Sequence, residues 1–554
     1  MWDDTYIDNP MHSRYNICIL ITEHHPECVL RPEFSIVRKN SMSLFPRSSG
    51  VLLHPTSLPG KFGMGDLGEN AYRFVDWLEE QGQSIWQILP LGPTSYGDSP
   101  YQTLSAFAGN PNLISLEILL DYGWLTGEDL ADVPNFPADR VDYGWAIPYH
   151  NEKLSLAYQH FTKQATDDDR RGFDGFVVDQ ADWLEDFALF AALKRHYGGK
   201  PWVEWSDRDL VCYEASALEK ARKEHADAIN EERFRQWVFY AQWLDLKQVA
   251  NRKGIRLFGD LPIFVAHDSA DVWANQDLYY LDENGYQTVI AGVPPDYFSP
   301  TGQRWGNPLY RWDRMKANGY AWWKKRFQGI LTLVDYIRVD HFRGFEAYWE
   351  IPASEPTAVK GEWKPGPGAD FFQVMQDELG HLPIIAEDLG VITAGVEALR
   401  DDFDLPGMKV LQFAWSDSSN PFLPHNHPVN CVVYTGTHDN NTTIGWWLNE
   451  IDEQGKGFMQ RYLEREVREI NWRMIQIAMM SPGHTAIFPM QDVLNLDAKA
   501  RMNTPGKEQG NWTWRFTTNA FEHDGKNRLS YLTWLYQRHP SQQVKTYGDV
   551  AVKG

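Results

Sequence analysis

The 554 residues carry 75 acidic and 52 basic side chains, a formal net charge of −23. That balance disfavours nucleic acid or an anionic membrane as the main partner, because both select Lys/Arg-rich surfaces, and it suits a neutral small or polymeric substrate. Cys18, Cys28, Cys212 and Cys431 are too few and too scattered for a disulfide framework or a CxxC metal site, which points to a reducing, cytoplasmic compartment.

In chain order, residues 1–41 come first, with irregular polar and His-containing segments and no sustained periodicity; they read as an extension outside the fold. Ile17 to Ile21 is too short for a signal-peptide core and follows acidic rather than basic residues. No apolar run approaches the roughly 20 residues that cross a bilayer. Ala71, Phe74, Val75 and Leu78 form a helical stripe, Gly82 supplies its stop, and SIWQILPLG (Ser84 to Gly92) reads as a buried strand. A mostly helical stretch near 116–200 then interrupts the rhythm. Phe234, Trp237, Val238, Ala241 and Leu244 make the next stripe, Gly254 ends it, and IRLFGD (Ile255 to Asp260) is the following strand.

A loop-rich stretch occupies 267–312. Within it, Asp282-Glu283-Asn284-Gly285 places its glycine too early for a calcium loop and reads as a β-hairpin turn. Further β-rich segments end at DYIRVD (Asp335 to Asp340), LPIIAED (Leu382 to Asp388) and VNCVVYTGTHD (Val429 to Asp439). Alternating helices and short apolar strands predict a parallel sheet. An open doubly wound sheet shows the same alternation, but no glycine-rich phosphate loop follows a strand. The predicted fold is therefore α/β, a TIM-type (β/α)8 barrel over 42–554, with 116–200 and 267–312 as insertions.

Such barrels carry their chemistry at the carboxyl ends of the strands. Asp340 and Glu387 each close an apolar strand. Neighbouring strands can bring such a pair to the about 5 to 5.5 Å at which one carboxylate acts as nucleophile and the other as general acid, then base, in retaining glycosyl chemistry. Asp439 closes another strand and is a candidate for stabilising a positively charged transition state. Each alone is weak evidence, since a strand-end Asp often caps the next helix. Arg338 strengthens the case, for it lies two residues before Asp340, on the same strand face, where a guanidinium favours the ionised carboxylate.

Longer motifs surround these residues: SGVLLHPTSLPG (Ser49 to Gly60), GPTSYGDSPYQ (Gly92 to Gln102), GDLPIFVAHDSADVW (Gly259 to Trp273), VPPDYFSPTGQRWGNPLY (Val293 to Tyr310), IRVDHFRGF (Ile337 to Phe345), IIAEDLG (Ile384 to Gly390) and YTGTHDNNT (Tyr434 to Thr442). In that order, they make the chain from about Met42 onward resemble the amylomaltase, or disproportionating-enzyme, family of 4-α-glucanotransferases, relatives of the α-amylases. The resemblance implies a maltooligosaccharide or starch-like substrate. It also implies Asp340 as nucleophile, Glu387 as acid/base and Asp439 as transition-state stabiliser, with Arg338, His438 and Asp260 completing the site. By the same resemblance Trp305 stacks on donor sugar beside Gln303, and Ser99 and Tyr101 are acceptor-side contacts.

The alternatives are structural. A Trp in a Pro/Gly-rich loop also serves as a packing anchor, and the 14% aromatic content suits a large core as well as sugar stacking. His54 reads as a core histidine, His341 is open between core and site, and Asp388 either orients Arg338 or caps a turn. His24-His25 and His425/His427 lack metal-ligand spacing, so neither metal nor organic cofactor is expected. A hydrolase would share all three carboxylates, whereas a binding protein on an inactive barrel would lack one.

Overall fold

The computed structural model describes residues 45–542 except 296–298, 508, 523 and 524. Residues 1–41, with Cys18, Cys28 and His24-His25, lie outside the described residues. In chain order the strands are β1 (Ser48–Leu52), β2 (Ile85–Gln87), β3 (Arg256–Pro262), β4 (Val289–Val293), β5 (Gln303–Pro308), β6 (Tyr336–Asp340), β7 (Ala347–Pro352), β8 (Glu362–Pro365), β9 (Ile384–Ala386), β10 (Gly407–Val410), β11 (Cys431–Tyr434) and β12 (Thr485–Pro489).

Eight of them form one sheet in the order β10-β11-β12-β1-β2-β3-β6-β9, with every pairing parallel. The seam between β9 and β10 is bridged where the Ala386 N–H donates to the Pro406 carbonyl at 2.8 Å and the Met408 N–H donates to the Asp388 carboxylate at 2.7 Å. The sheet thereby curls into a nearly closed (β/α)8-type barrel. β1, β11 and β12 are buried at every residue, and for β11 this is why CVVY reads as a continuous apolar run rather than an alternating one. Gly50 lets β1 and β2 approach: a Cβ there would lie 2.5 Å from that of Ile85.

The stripe of Ala71, Phe74, Val75 and Leu78 is the buried face of the helix Glu69–Glu80, and Gly82 follows with a φ of 66°. The strand expected over Ser84 to Gly92 is shorter, Ile85–Gln87. The second stripe belongs to the helix Ala226–Arg252, whose burial is wider than one stripe. Glu232, Arg235, Gln236 and Trp243 are buried too, while Leu244 is exposed. This helix is packed by β3 and the Glu69–Glu80 helix and also by the helices Tyr143–Gln164, Asp167–Asp179 and Ala181–His196.

The stretch 267–312 holds β4 and β5, which join β7 and β8 in an antiparallel sheet of order β5-β4-β7-β8. Asp282 to Gly285 forms a turn, closed by the Gly285 N–H on the Asp282 carbonyl at 3.0 Å and flanked by an antiparallel Leu281–Gln287 bridge. Only His341, a four-residue 3-10 turn, Phe342–Phe345, and Glu346 separate β6 from β7. The second sheet is thus tethered at the carboxyl end of β6. No helix among the described residues is long and apolar enough to cross a membrane.

Candidate active site

The pairing of β3 with β6 sets Asp260 opposite Arg338. Arg338 Nε donates to both Asp260 oxygens at 3.0 and 3.1 Å, while its Nη2 donates to Asp340 Oδ1 at 2.7 Å and to the Tyr101 hydroxyl at 3.3 Å. The Arg338 and Asp260 side chains are 4% and 0% exposed, whereas Asp340 is 31% exposed. A buried ion pair offsets its desolvation only when further hydrogen bonds satisfy it, and Tyr101 supplies one by donating to Asp260 Oδ2 at 2.6 Å.

β6 and β9 run side by side with Val339 opposite Ala386, so the next residues, Asp340 and Glu387, emerge together at the barrel rim. The ladder continues past the strands through the Glu387 N–H on the Val339 carbonyl, 3.1 Å. The Glu387 carboxyl accepts the N–H of His341 at 2.8 Å and that of Leu389 at 2.9 Å. His341 reaches it from a left-handed backbone, φ 53°, a conformation uncommon outside glycine that the surroundings must impose.

Burial pushes the Glu387 carboxyl up to about 7, with Arg338 and the two N–H donors opposing and Asp388 adding to the rise. Asp340 is also driven upward by burial, reinforced by Asp260, Glu387 and Asp439 and opposed by Arg338. The two carboxyls therefore compete for protons as a pair.

Asp439 differs from expectation in its support. β11 ends at Tyr434, and Asp439 sits in the loop between that strand and the helix Thr443–Asn449. A loop residue needs outside fixing. Asn503 Nδ2 donates to Asp439 Oδ1 at 2.6 Å, Arg501 holds its carbonyl at 2.7 Å, and His438 Nε2 lies 3.4 Å from Oδ2. The His438 ring stacks on Tyr101 with centroids 5.2 Å apart, and burial lowers its pKa.

Tyr101 joins Asp260, Arg338 and His438 in one cluster, and Ser99 Oγ accepts its N–H at 3.2 Å. Trp305 lies on β5 rather than in a loop; its ring meets His341 edge-on at 4.8 Å and its Nε1 donates to Gln303 at 3.0 Å. His54 is buried and lines a small pocket together with His438, Leu89 and Met502. Burial pushes it down to about 3, so it is neutral. Asp388 does not touch Arg338; it accepts from Arg400 at 2.6 Å and from Met408 at the barrel seam.

Asn503 and Trp512 are the residues that sequence reasoning passed over. Trp512 packs against both Tyr101 and His438. The only cue was a Pro/Gly/Asn-rich segment with two tryptophans, from Arg501 to Trp514, lying beyond the last barrel strand. Among the described residues no three His, Cys, Asp or Glu side chains are grouped to hold a metal.

A parallel barrel with carboxylates, a buried guanidinium and aromatic rings gathered at its carboxyl rim has the form of a (β/α)8-barrel enzyme. A family model described as 4-alpha-glucanotransferase matches residues 53–520. The 4-alpha-glucanotransferase of Thermus thermophilus is 52% identical over 89% of this chain and 99% of its own, and that of Synechocystis sp. is 50% identical over 89% and 98%. An amylomaltase structure from Streptococcus agalactiae, in complex with acarbose, superposes with a TM-score of 0.86 at 40% identity, covering 89% of this chain and 100% of that one. The chain belongs to the 4-alpha-glucanotransferase family, and is thus an enzyme of the glycosyl-transferring type.

Proposed function

We propose that the protein is a retaining 4-α-glucanotransferase that cleaves an α-1,4-glucan through a glycosyl-enzyme intermediate and passes the fragment to a 4-hydroxyl of glucose or another glucan. The observation that carries this reading is the emergence of Asp340 and Glu387 from paired strands, one bonded to a guanidinium and the other raised to about 7.

Asp340 Oδ1 is held by Arg338, which biases the negative charge of the coupled pair towards Asp340 and leaves the proton on Glu387. Asp340 attacks the anomeric carbon; a C–O bond to its carboxylate forms as the glycosidic bond breaks, and Glu387 gives its proton to the departing oxygen. In the second step Glu387, now a carboxylate, takes the proton of the incoming 4-hydroxyl, whose oxygen displaces Asp340. Asp439 and His438 grip ring hydroxyls of the sugar carrying the developing charge. Trp305 and Gln303 hold donor sugar, and Ser99 supports Tyr101. The acarbose held by the amylomaltase relative is an oligosaccharide analogue, in keeping with a glucan substrate here.

Transfer rather than hydrolysis requires that a sugar hydroxyl outcompete water. The second sheet, tethered at β6 with Trp305 on β5, supplies a wall beside the intermediate that supports this. The discriminating experiment uses maltotriose as sole substrate. Glucose and a ladder of longer maltooligosaccharides, at nearly constant reducing ends, is expected; steady accumulation of reducing ends with only glucose and maltose assigns a hydrolase.

A further inference from the structure

We propose that Asp492 is a positioning residue for the loop that carries His438 and Asp439, acting by holding both ends of that loop on one buried carboxylate. The proposal rests on the reading of Asp439 as the group that stabilises the transition state.

Asp492 lies in the short helix Met490–Val493, directly after β12, and is 1% exposed. Its Oδ2 accepts the hydroxyls of Thr435 and Thr443, both at 2.6 Å, and its Oδ1 accepts the Thr443 N–H at 2.7 Å. Thr435 is the first residue after β11, and Thr443 opens the helix that follows the loop. The two ends of the catalytic loop therefore converge on a single side chain. Asp492 is itself fixed, since Asn471 donates to its carbonyl at 2.9 Å.

Between these ends the loop has little freedom. Asn440 Oδ1 accepts both the N–H and the hydroxyl of Thr437, at 2.8 and 2.9 Å, and Gln412 donates to the Asn441 carbonyl at 2.9 Å. A compact loop pinned at both ends moves as one piece, so Asp492 sets where Asp439 stands. Its bonding partners are two hydroxyls and an amide rather than a cation, and burial raises its pKa against those three donors. A buried carboxylate without a counter-ion is costly compared with an apolar residue of similar volume. That cost is explained if what Asp492 supplies is three converging acceptor contacts at fixed positions.

The test is a double-mutant cycle, with initial rates from an activated maltosyl fluoride donor so that weak variants remain measurable. Asp492→Leu removes the acceptors at similar volume. It should lower kcat by about 10²-fold, the scale of a misplacement of about 1 Å, with KM changed by less than about threefold. In an Asp439→Asn background the same substitution should cost less than about threefold more, because it acts through Asp439.

Asp492→Asn should stay within about fivefold of wild type, since its amide can donate to both threonine hydroxyls while its oxygen still accepts the Thr443 N–H. Leu189→Ala, in the buried face of the helix Ala181–His196, controls for stability and should lower the thermal midpoint without lowering kcat. Equal losses from Asp492→Leu in both backgrounds, or none in either, overturn the proposal. Full activity of Asp439→Asn alone sinks the underlying reading instead. Should Asp492→Leu fail to fold, Thr435→Val, which deletes one donor, is run through the same cycle with the same criteria.

Discussion

The backbone N–H of His341, the residue that follows Asp340, donates to Oε2 of Glu387 at 2.8 Å. The peptide that carries one carboxyl of the pair therefore also orients the other. With the Leu389 N–H on Oε1 at 2.9 Å, each oxygen of Glu387 has a fixed donor, and its direction does not depend on a bound sugar. The left-handed backbone of His341 redirects the chain beyond that peptide into the turn Phe342–Phe345.

Glu387→Gln keeps the side-chain shape but cannot lend and recover a proton, so kcat should fall by about 10³-fold with the fold intact. Wild-type turnover should decline as pH rises through about 7, where the acid loses its proton. Stability follows the same group. Its folded value lies above the ordinary 4.5 because burial disfavours the charge, so its contribution is fully present below about 4.5 and is lost as pH rises through about 7. The thermal midpoint of the Gln variant relative to wild type should therefore rise between pH 4 and pH 8, as read by thermal denaturation at both values.

Arg338→Lys tests the guanidinium fork. One ammonium cannot reproduce the two Nε contacts to Asp260 together with the Nη2 bonds to Asp340 and Tyr101. We expect kcat/KM on maltotriose to fall by about 10²-fold or more. Activity within about threefold of wild type would show that a point charge suffices and that the fork geometry is incidental.

The strands that build the site were readable because they are largely buried, which leaves short apolar runs such as CVVY and, broken only by Arg338, YIRV. Arg338 and Asp340 were readable as neighbours for the simple reason that a strand repeats every two residues. Features set by tertiary packing were not. Gln303 to Pro308 contains Gly and Pro, which weaken any strand signal, so Trp305 read as a loop residue. Tyr101 reaches Asp260 across 159 positions and Asn503 reaches Asp439 across 64, distances over which no local pattern exists. The width of burial on the helix Ala226–Arg252 reflects the several helices packed against it besides β3, which a single apolar stripe does not encode.

Residues 1–41 should be dispensable, since the candidate site residues all lie between Ser99 and Trp512 and unpatterned termini seldom support a core. Deleting them should leave the rate on maltotriose within about twofold and the thermal midpoint within a few degrees. A large fall in either would mean that the extension contributes to the catalytic unit.

The most direct test is to look for the covalent intermediate itself. Glu387→Gln, given a maltosyl fluoride whose leaving group needs no acid, should form the glycosyl-enzyme faster than it can be released, because no base remains to activate the acceptor. Mass spectrometry of the digested protein should then find one maltosyl residue on the peptide containing Asp340, and none when Asp340 is replaced by Ala. A maltosyl residue on another carboxylate, or donor consumption by Glu387→Gln with no adduct at any time, would contradict a mechanism through Asp340.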